Sequence, residues 1–224
     1  MARYELPEGA AEKIDRLLAA LAAEPDPPTT VRRPAEALTG HVADGLTGLE
    51  VAELRGAARI ADVGAGSGFP GLALAVALPG AQIDLIEATA RKCAVIERLA
   101  ESAGLENARA VPARAEEWAA GAAREAYEAV TARAVASLPV LAEYAAPLLC
   151  EGGVLVAWKG ARDDVEERAG DTAAGQLGLS PARVLKVTPF RGAHSRHLHV
   201  FTKTGATPAR FPRRPGMAAK RPLA

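Results

Sequence analysis

Apolar residues recur along this chain with two different periods, and the change between them divides it. Between Ala10 and Ala23 they fall at Ile14, Leu17, Leu18 and Leu21, the spacing of one face of a helix. The run Glu24-Pro-Asp-Pro-Pro-Thr-Thr ends that helix, because its prolines remove backbone donors and fix φ. A second, short helical stretch opens at Pro34, a residue suited to a first helical turn. From residue 59 onward short runs rich in Val, Ile and Leu alternate with helical ones. Strands are predicted over 59–64, 82–87, 107–111, 127–133, 154–159, 183–187 and 196–203. Helices are predicted over 72–78, 89–103, 140–149 and 165–177, with Gly104 stopping the second of them. Such alternation implies an α/β fold whose mostly parallel sheet is covered on both faces. The pattern suggests a helical extension over 1–50, a main domain over 51–207 and a basic, proline-rich tail over 208–224, packing on or beside that domain.

Composition narrows the class. Aromatic residues are only 4% of the chain, so a core must be built mainly from Ala, Leu and Val. No apolar run approaches the roughly 18 residues that span a bilayer. The first residues lack the apolar centre of a secretion signal, so a cytoplasmic protein is expected. Cys93 and Cys150 lie far apart without C-x-x-C spacing and read as buried thiols; no metal site is expected. The zero net charge conceals an asymmetry. All 27 acidic residues fall at or before Asp171, whereas the stretch from Thr172 to Ala224 holds ten basic residues and no acidic one. A polyanion-facing end is one reading of this split. A basic tail folded onto the acidic body of its own chain is the other.

The candidate chemistry lies in Asp62-Val-Gly-Ala-Gly-Ser-Gly-Phe-Pro-Gly71, which follows a strand and opens a helix. Gly64, Gly66 and Gly68 let backbone approach a ligand where a Cβ would clash. Two ligand classes compete. The dinucleotide fingerprint G-x-G-x-x-G, counted from Gly64, puts Phe69 where its last small residue belongs. Counted from Gly66 it is met loosely by Gly68 and Gly71. The D-x-G-x-G-x-G order beginning at Asp62 favours S-adenosylmethionine, a cofactor without pyrophosphate. Glu87 closes the second strand, where a carboxylate can accept from both ribose hydroxyls.

Taken in order, several segments resemble one family. They are Gly68-Phe-Pro-Gly71, Arg114-Ala-Glu-Glu117, Val130-Thr-Ala-Arg-Ala-Val135, Trp158-Lys-Gly160, Arg196-His-Leu-His-Val-Phe-Thr-Lys203 and Arg210-Phe-Pro-Arg-Arg-Pro-Gly-Met-Ala-Ala-Lys-Arg-Pro-Leu223. The set is similar to the RsmG (GidB) family of 16S ribosomal RNA guanine-N7 methyltransferases and covers most of the chain from Arg59 on. The resemblance implies a Rossmann-like class I methyltransferase fold of seven strands, mostly parallel with an antiparallel last strand. It also implies methylation of N7 of a guanine in the 530 loop, with 16S ribosomal RNA or the small subunit as partner; separately, a monomer is expected. By motif, Gly64, Phe69, Ala115, Glu116 and Arg133 would bind the cofactor beside Asp62, Gly66, Gly68 and Glu87, with Ala115 and Glu116 in the loop after the third strand. Arg133 is also the candidate catalytic residue. N7 carries an exposed lone pair, so no proton need be removed before attack and alignment can carry the catalysis.

Lys159, Arg196, Arg213 and Arg214 are the candidate RNA contacts within the basic third. His197 and His199 share one strand face and read as a surface or RNA-facing pair, because no third ligand of metal spacing appears. Ahead of the loop the chain departs from the family: Pro27-Pro-Thr-Thr-Val-Arg-Arg-Pro34 stands where an N-L-T motif is usual, and His41-Val-Ala-Asp-Gly45 lacks the family's serine. A relative acting on another RNA or on a small molecule is the alternative those changes leave open. A non-catalytic RNA-binding module is a third, which the intact loop and Glu87 argue against.

Overall fold

The computed structural model describes residues 4–223. Helix α1 (Ala10–Ala23) buries Ile14, Leu17, Leu18 and Leu21, the stripe its periodicity predicts. Its end is held by Glu24, whose carboxylate takes both prongs of the Arg98 guanidinium at 2.8 Å. The stretch after Pro34 is longer than the short helix expected. It runs through α2 (Pro34–Ala37), a π-helical turn (Leu38–Ala43), α3 (Asp44–Leu46) and a 3-10 turn (Thr47–Glu50) to α4 (Ala52–Arg55). Its bonds reach into the main body: the Trp158 indole donates to Asp44 O at 2.9 Å and Thr47 Oγ1 at 3.0 Å. Gly48 is small for the same reason, since a Cβ there would stand 2.8 Å from the Trp158 ring.

Strands and helices then alternate: β1 (Arg59–Val63), α5 (Gly71–Ala77), β2 (Gln82–Ile86), α6 (Ala90–Ser102), β3 (Ala108–Val111), α7 (Ala115–Ala119) and β4 (Tyr127–Arg133). They continue as α8 (Leu138–Ala145), β5 (Leu149–Lys159), α9 (Asp164–Leu177), β6 (Arg183–Lys186), β7 (His197–Thr202) and α10 (Met217–Lys220). The seven strands form one sheet in the order β3-β2-β1-β4-β5-β7-β6. All are parallel except β7, which pairs antiparallel with both β5 and β6. The expected sheet with an antiparallel last strand is therefore present. The order reverses between β1 and β4, and ligands of open α/β sheets bind at the carboxyl ends of such neighbours.

Alternate strand residues face two separate cores. Ile60, Ile83, Val154, Val156 and Val200 pack with α1, α5 and α6. Ala61, Val63, Val130, Leu155 and Phe201 pack with α7, α8 and α9. Three boundaries differ from the pattern-based reading. The helix expected over 140–149 stops at Ala145, because Pro147 has no N–H for the next turn, and Leu149 already belongs to β5. Ala115 and Glu116 open α7 rather than lying in a loop, a five-residue helix too short to show a periodicity. The tail is irregular apart from the single turn of α10. Cys93 is buried as expected, whereas Cys150 is only half-buried.

Asn107 clasps the far end of the sheet: its side-chain amide donates to the carbonyls of Ala75, Leu78 and Ala81 at 3.0–3.1 Å. Removing one partner of buried carbonyls costs about 1–3 kcal/mol. Asn107→Ala should lower the urea midpoint accordingly; an unchanged midpoint would show that the clasp adds no stability.

Candidate active site

The glycine loop is shaped from below by Asp62. This residue is wholly buried at the end of β1 and accepts from Gly71 N at 3.0 Å and from the Thr131 hydroxyl at 2.8 Å. Gly71 opens α5, so the carboxylate already fills the helix start where a dinucleotide's pyrophosphate would bind. Asp62 thus braces the loop from beneath and is not part of the lining of the hollows above it. The three loop glycines also part company. All have positive φ, from 58° to 93°. A Cβ on Gly64 would stand 2.7 Å from Val135, and one on Gly68 would strike Leu72, so both are small because of packing. A Cβ on Gly66 would make one ordinary contact, with Gly64 O at 3.7 Å, so only its backbone conformation calls for glycine.

Above the loop lie three hollows in series, each sharing wall residues with the next. The first, about 160 Å³, lies among Gly64, Glu87, Arg114, Ala115, Glu116 and Val135. The second, about 410 Å³, shares Gly64 and Val135 with it and adds Gly66, Phe69 and Pro28. The third, about 430 Å³, shares His41, Arg133 and Ala134 with the second and adds Asp44, Trp158, Lys159 and Arg196. Glu87 is 7% exposed and receives Gly66 N at 3.1 Å and Thr89 N at 2.9 Å, while Lys92 stands 3.9 Å away. Two carboxylates, Glu87 and Glu116, edge the first hollow. They suit a cationic nucleoside without phosphate, and the second hollow over Gly66 gives it room, so the residues present fit S-adenosylmethionine better than a dinucleotide.

Arg133 occupies the junction. It donates from Nη1 to Gly40 O at 2.8 Å and Asp44 Oδ2 at 2.9 Å, and from Nη2 to His41 Nδ1 at 3.1 Å. Since a guanidinium only donates, His41 Nδ1 accepts, and Nε2 carries the proton toward Thr29 Oγ1 at 3.0 Å. Burial first, and the Arg133 charge second, push His41 down to about 4, which keeps it neutral near pH 7. Its ring stacks on Phe69, centroids 5.1 Å apart and planes 13° from parallel. Ala134 adopts a φ of 57°, a left-handed backbone unusual for a residue with a Cβ, where β4 ends.

The sequence alone assigns no individual role to His41, Asp44 or Trp158. The i, i+3 spacing of His41 and Asp44, which puts both on one side of a helical turn, was the available signal. The RNA candidates separate. Lys159 and Arg196 line the third hollow; Lys159 donates to Glu166 at 2.6 Å and Arg196 lies 3.7 Å from Asp44 Oδ1. Arg213 instead grips Glu143, which is 1% exposed, so its guanidinium is engaged within the chain; Arg214 is exposed. His199 is also corrected: it is 1% exposed and hydrogen-bonds Glu167 at 2.9 Å through Nε2, while His197 is half-buried. Among the described residues no three His, Cys, Asp or Glu side chains are placed to hold a metal, and no helix is long and apolar enough to cross a membrane.

The fold with this cleft at its strand ends is that of class I S-adenosylmethionine-dependent methyltransferases. It is shared with a solved S-adenosylmethionine-dependent O-methyltransferase from Thermotoga maritima, at a TM-score of 0.60 and 16% identity over 84% of this chain and 71% of that one. The tRNA (m1A58) methyltransferase TrmI from Aquifex aeolicus matches with a TM-score of 0.59 and 15% identity, covering 85% of this chain and 76% of its own. Within that class, residues 28–198 match the GidB model, described as rRNA small subunit methyltransferase G, and the chain belongs to this family. A ribosomal RNA small subunit methyltransferase G from Rubrobacter xylanophilus is 45% identical over 196 residues, 86% of this chain and 75% of the relative. Its counterpart in Deinococcus radiodurans is 38% identical over 218 residues, 95% of this chain and 85% of the relative.

Burial pushes the Asp62 carboxyl up to about 6, against the bonds from Thr131 and Gly71 and the charge of Arg133. The folded value lies above the unfolded one, so this contribution to stability is full below about pH 4 and is lost as pH rises through about 6. Asp62→Asn, which keeps an acceptor for Gly71 N, should remove that dependence. Between about pH 4 and 7 wild-type stability should fall by about 3 kcal/mol relative to the variant; parallel urea-midpoint profiles would refute the assignment.

Proposed function

We propose that this chain transfers the methyl group of S-adenosylmethionine to N7 of a guanine in the 530 loop of 16S ribosomal RNA. The observation that carries the reading is the row of three hollows with shared walls, which offers a nucleoside cofactor and an unstacked base the two ends of one trough. Gly64, Gly66, Phe69, Glu87, Ala115 and Glu116 would hold the cofactor. Each oxygen of Glu87 accepts one backbone N–H and keeps a lone pair for a ribose hydroxyl. When bound, the cofactor supplies an electrophilic methyl on a sulfonium.

The chain's own residues have an alignment task, because N7 presents a lone pair and no proton. Gly40, His41 and Asp44 take three of the five N–H groups of Arg133, which leaves two for the cofactor carboxylate or the base. Neutral His41, stacked on Phe69, keeps that fork at the junction without adding a second cation beside the sulfonium. Lys159 and Arg196 at the rim of the third hollow, with Arg214 on the tail, supply phosphate contacts that fix register. In this reading residues 51–207 are the methyltransferase domain of a cytoplasmic monomer that needs no metal, 1–50 form one wall of its base-binding end, and 208–224 are a tail upon it.

Two measurements test the two ends of the trough. Small subunits lacking the modification, incubated with this protein and labelled S-adenosylmethionine, should acquire 7-methylguanosine in the 530 loop; its absence despite cofactor binding would overturn the substrate. Gly66→Val should intrude on the second hollow and strain the loop, whose φ of 58° there disfavours a side chain, and weaken cofactor binding by at least about 100-fold. Unchanged affinity by calorimetry would remove Gly66 from the cofactor floor.

A further inference from the structure

We infer that the basic C-terminal tail is a brace for the adenosine end of the cofactor cleft, with Arg213 as a positioning residue, and not a grip on RNA at that position. The inference rests on the cofactor site proposed above and extends it to residues outside the cleft.

The tail is fastened at both ends. Arg124 donates to Thr207 O at 3.1 Å and Phe211 O at 2.9 Å, and the Phe211 ring is 2% exposed in the core beneath α8. Arg213 then places its guanidinium fork on Glu143 of α8, Nε to Oε1 at 2.7 Å and Nη2 to Oε2. The same Nη2 donates to Arg221 O at 2.8 Å, which closes residues 213–221 into a loop around one side chain. At the crest of that loop Gly216 N donates to Glu116 Oε1 at 2.8 Å. Glu116 is 5% exposed and lines the first hollow, one strand further from the glycine loop than Glu87. With Glu87 at the ribose, that position falls to the base.

The physical coupling follows from burial. A carboxylate 1% exposed needs its counterion, so Glu143 holds Arg213, and the loop closed on Arg213 brings the Gly216 N–H to Glu116. One oxygen of Glu116 is thereby bound by the tail, and the carboxylate is locked as an acceptor for a ligand amine. Tyr144, which lines the same hollow, has its hydroxyl pushed up by burial and then by the charges of Glu116 and Glu143, so the two acids share one neighbourhood. Losing Arg213 would loosen residues 213–221, with the Arg124 ties at Thr207 and Phe211 remaining, and leave the Glu143 charge uncompensated.

The test titrates the full chain with S-adenosylhomocysteine and with 5′-methylthioadenosine, and measures RNA affinity against salt without cofactor. Arg213→Ala should weaken both nucleosides about tenfold and equally, since they share the adenosine, with the RNA salt slope unchanged. Should that variant lose its fold, Arg213→Lys carries the test, because it keeps a cation opposite Glu143 but loses the fork and the tie to Arg221. It should melt near the wild type and still bind both nucleosides about threefold more weakly. Wild-type nucleoside affinity in either folded variant overturns the brace. A salt slope lower by about one alongside that affinity would return Arg213 to the RNA surface. A wild-type chain that binds neither nucleoside overturns the cofactor site and the brace together.

Discussion

A single buried carboxylate organises the catalytic end of this protein. Asp62 joins three elements, β1 on which it lies, β4 through Thr131 and the start of α5 through Gly71. A polar group at that depth must find its partners inside the protein, so the loop between β1 and α5 has little freedom in where it turns. Gly71 has to be glycine because a Cβ would lie 2.8 Å from the carboxylate it bonds. The same contact occupies the helix start with an internal anion. It therefore decides between the two cofactor classes that the glycine pattern admits, by excluding a second anion from the place where a pyrophosphate would sit.

The other end of the trough is assembled around Arg133. Its partners come from the π-helical turn and α3, some ninety residues earlier in the chain. Trp158 pins that segment from β5, so it forms one wall of the site. Pro28 lines the second hollow above the loop. The bonds holding Arg133 come from His41, Asp44 and the Gly40 carbonyl.

The charge asymmetry has two answers, and they divide by residue. Arg196 faces the third hollow beside Asp44. Arg213 turns inward to Glu143, as a basic tail folded onto its own acidic body would require, while Arg214 next to it stays exposed. Adjacent arginines with equal formal charge have different neighbours because only one of them lies over a buried carboxylate. Net charge along a sequence carries no information about that difference.

Local pattern determined most of the architecture. The helix stripe of α1, the strand alternation from β1 to β7 and the Asp62–Gly71 loop were legible because each depends on residues near one another in sequence, where period and turn chemistry act directly. Order D-x-G-x-G-x-G pointed to the cofactor for the same reason. What only the tertiary structure decided are facts about long-range partners. Examples are Asp62 lying beneath the loop and not in the cleft, His199 turning under α9 to Glu167, and Arg213 closing the tail over Glu116. In each case the side chain's role is set by which buried group of opposite need lies within about 3 Å, and that neighbour is chosen by the packing of the whole sheet and its helices.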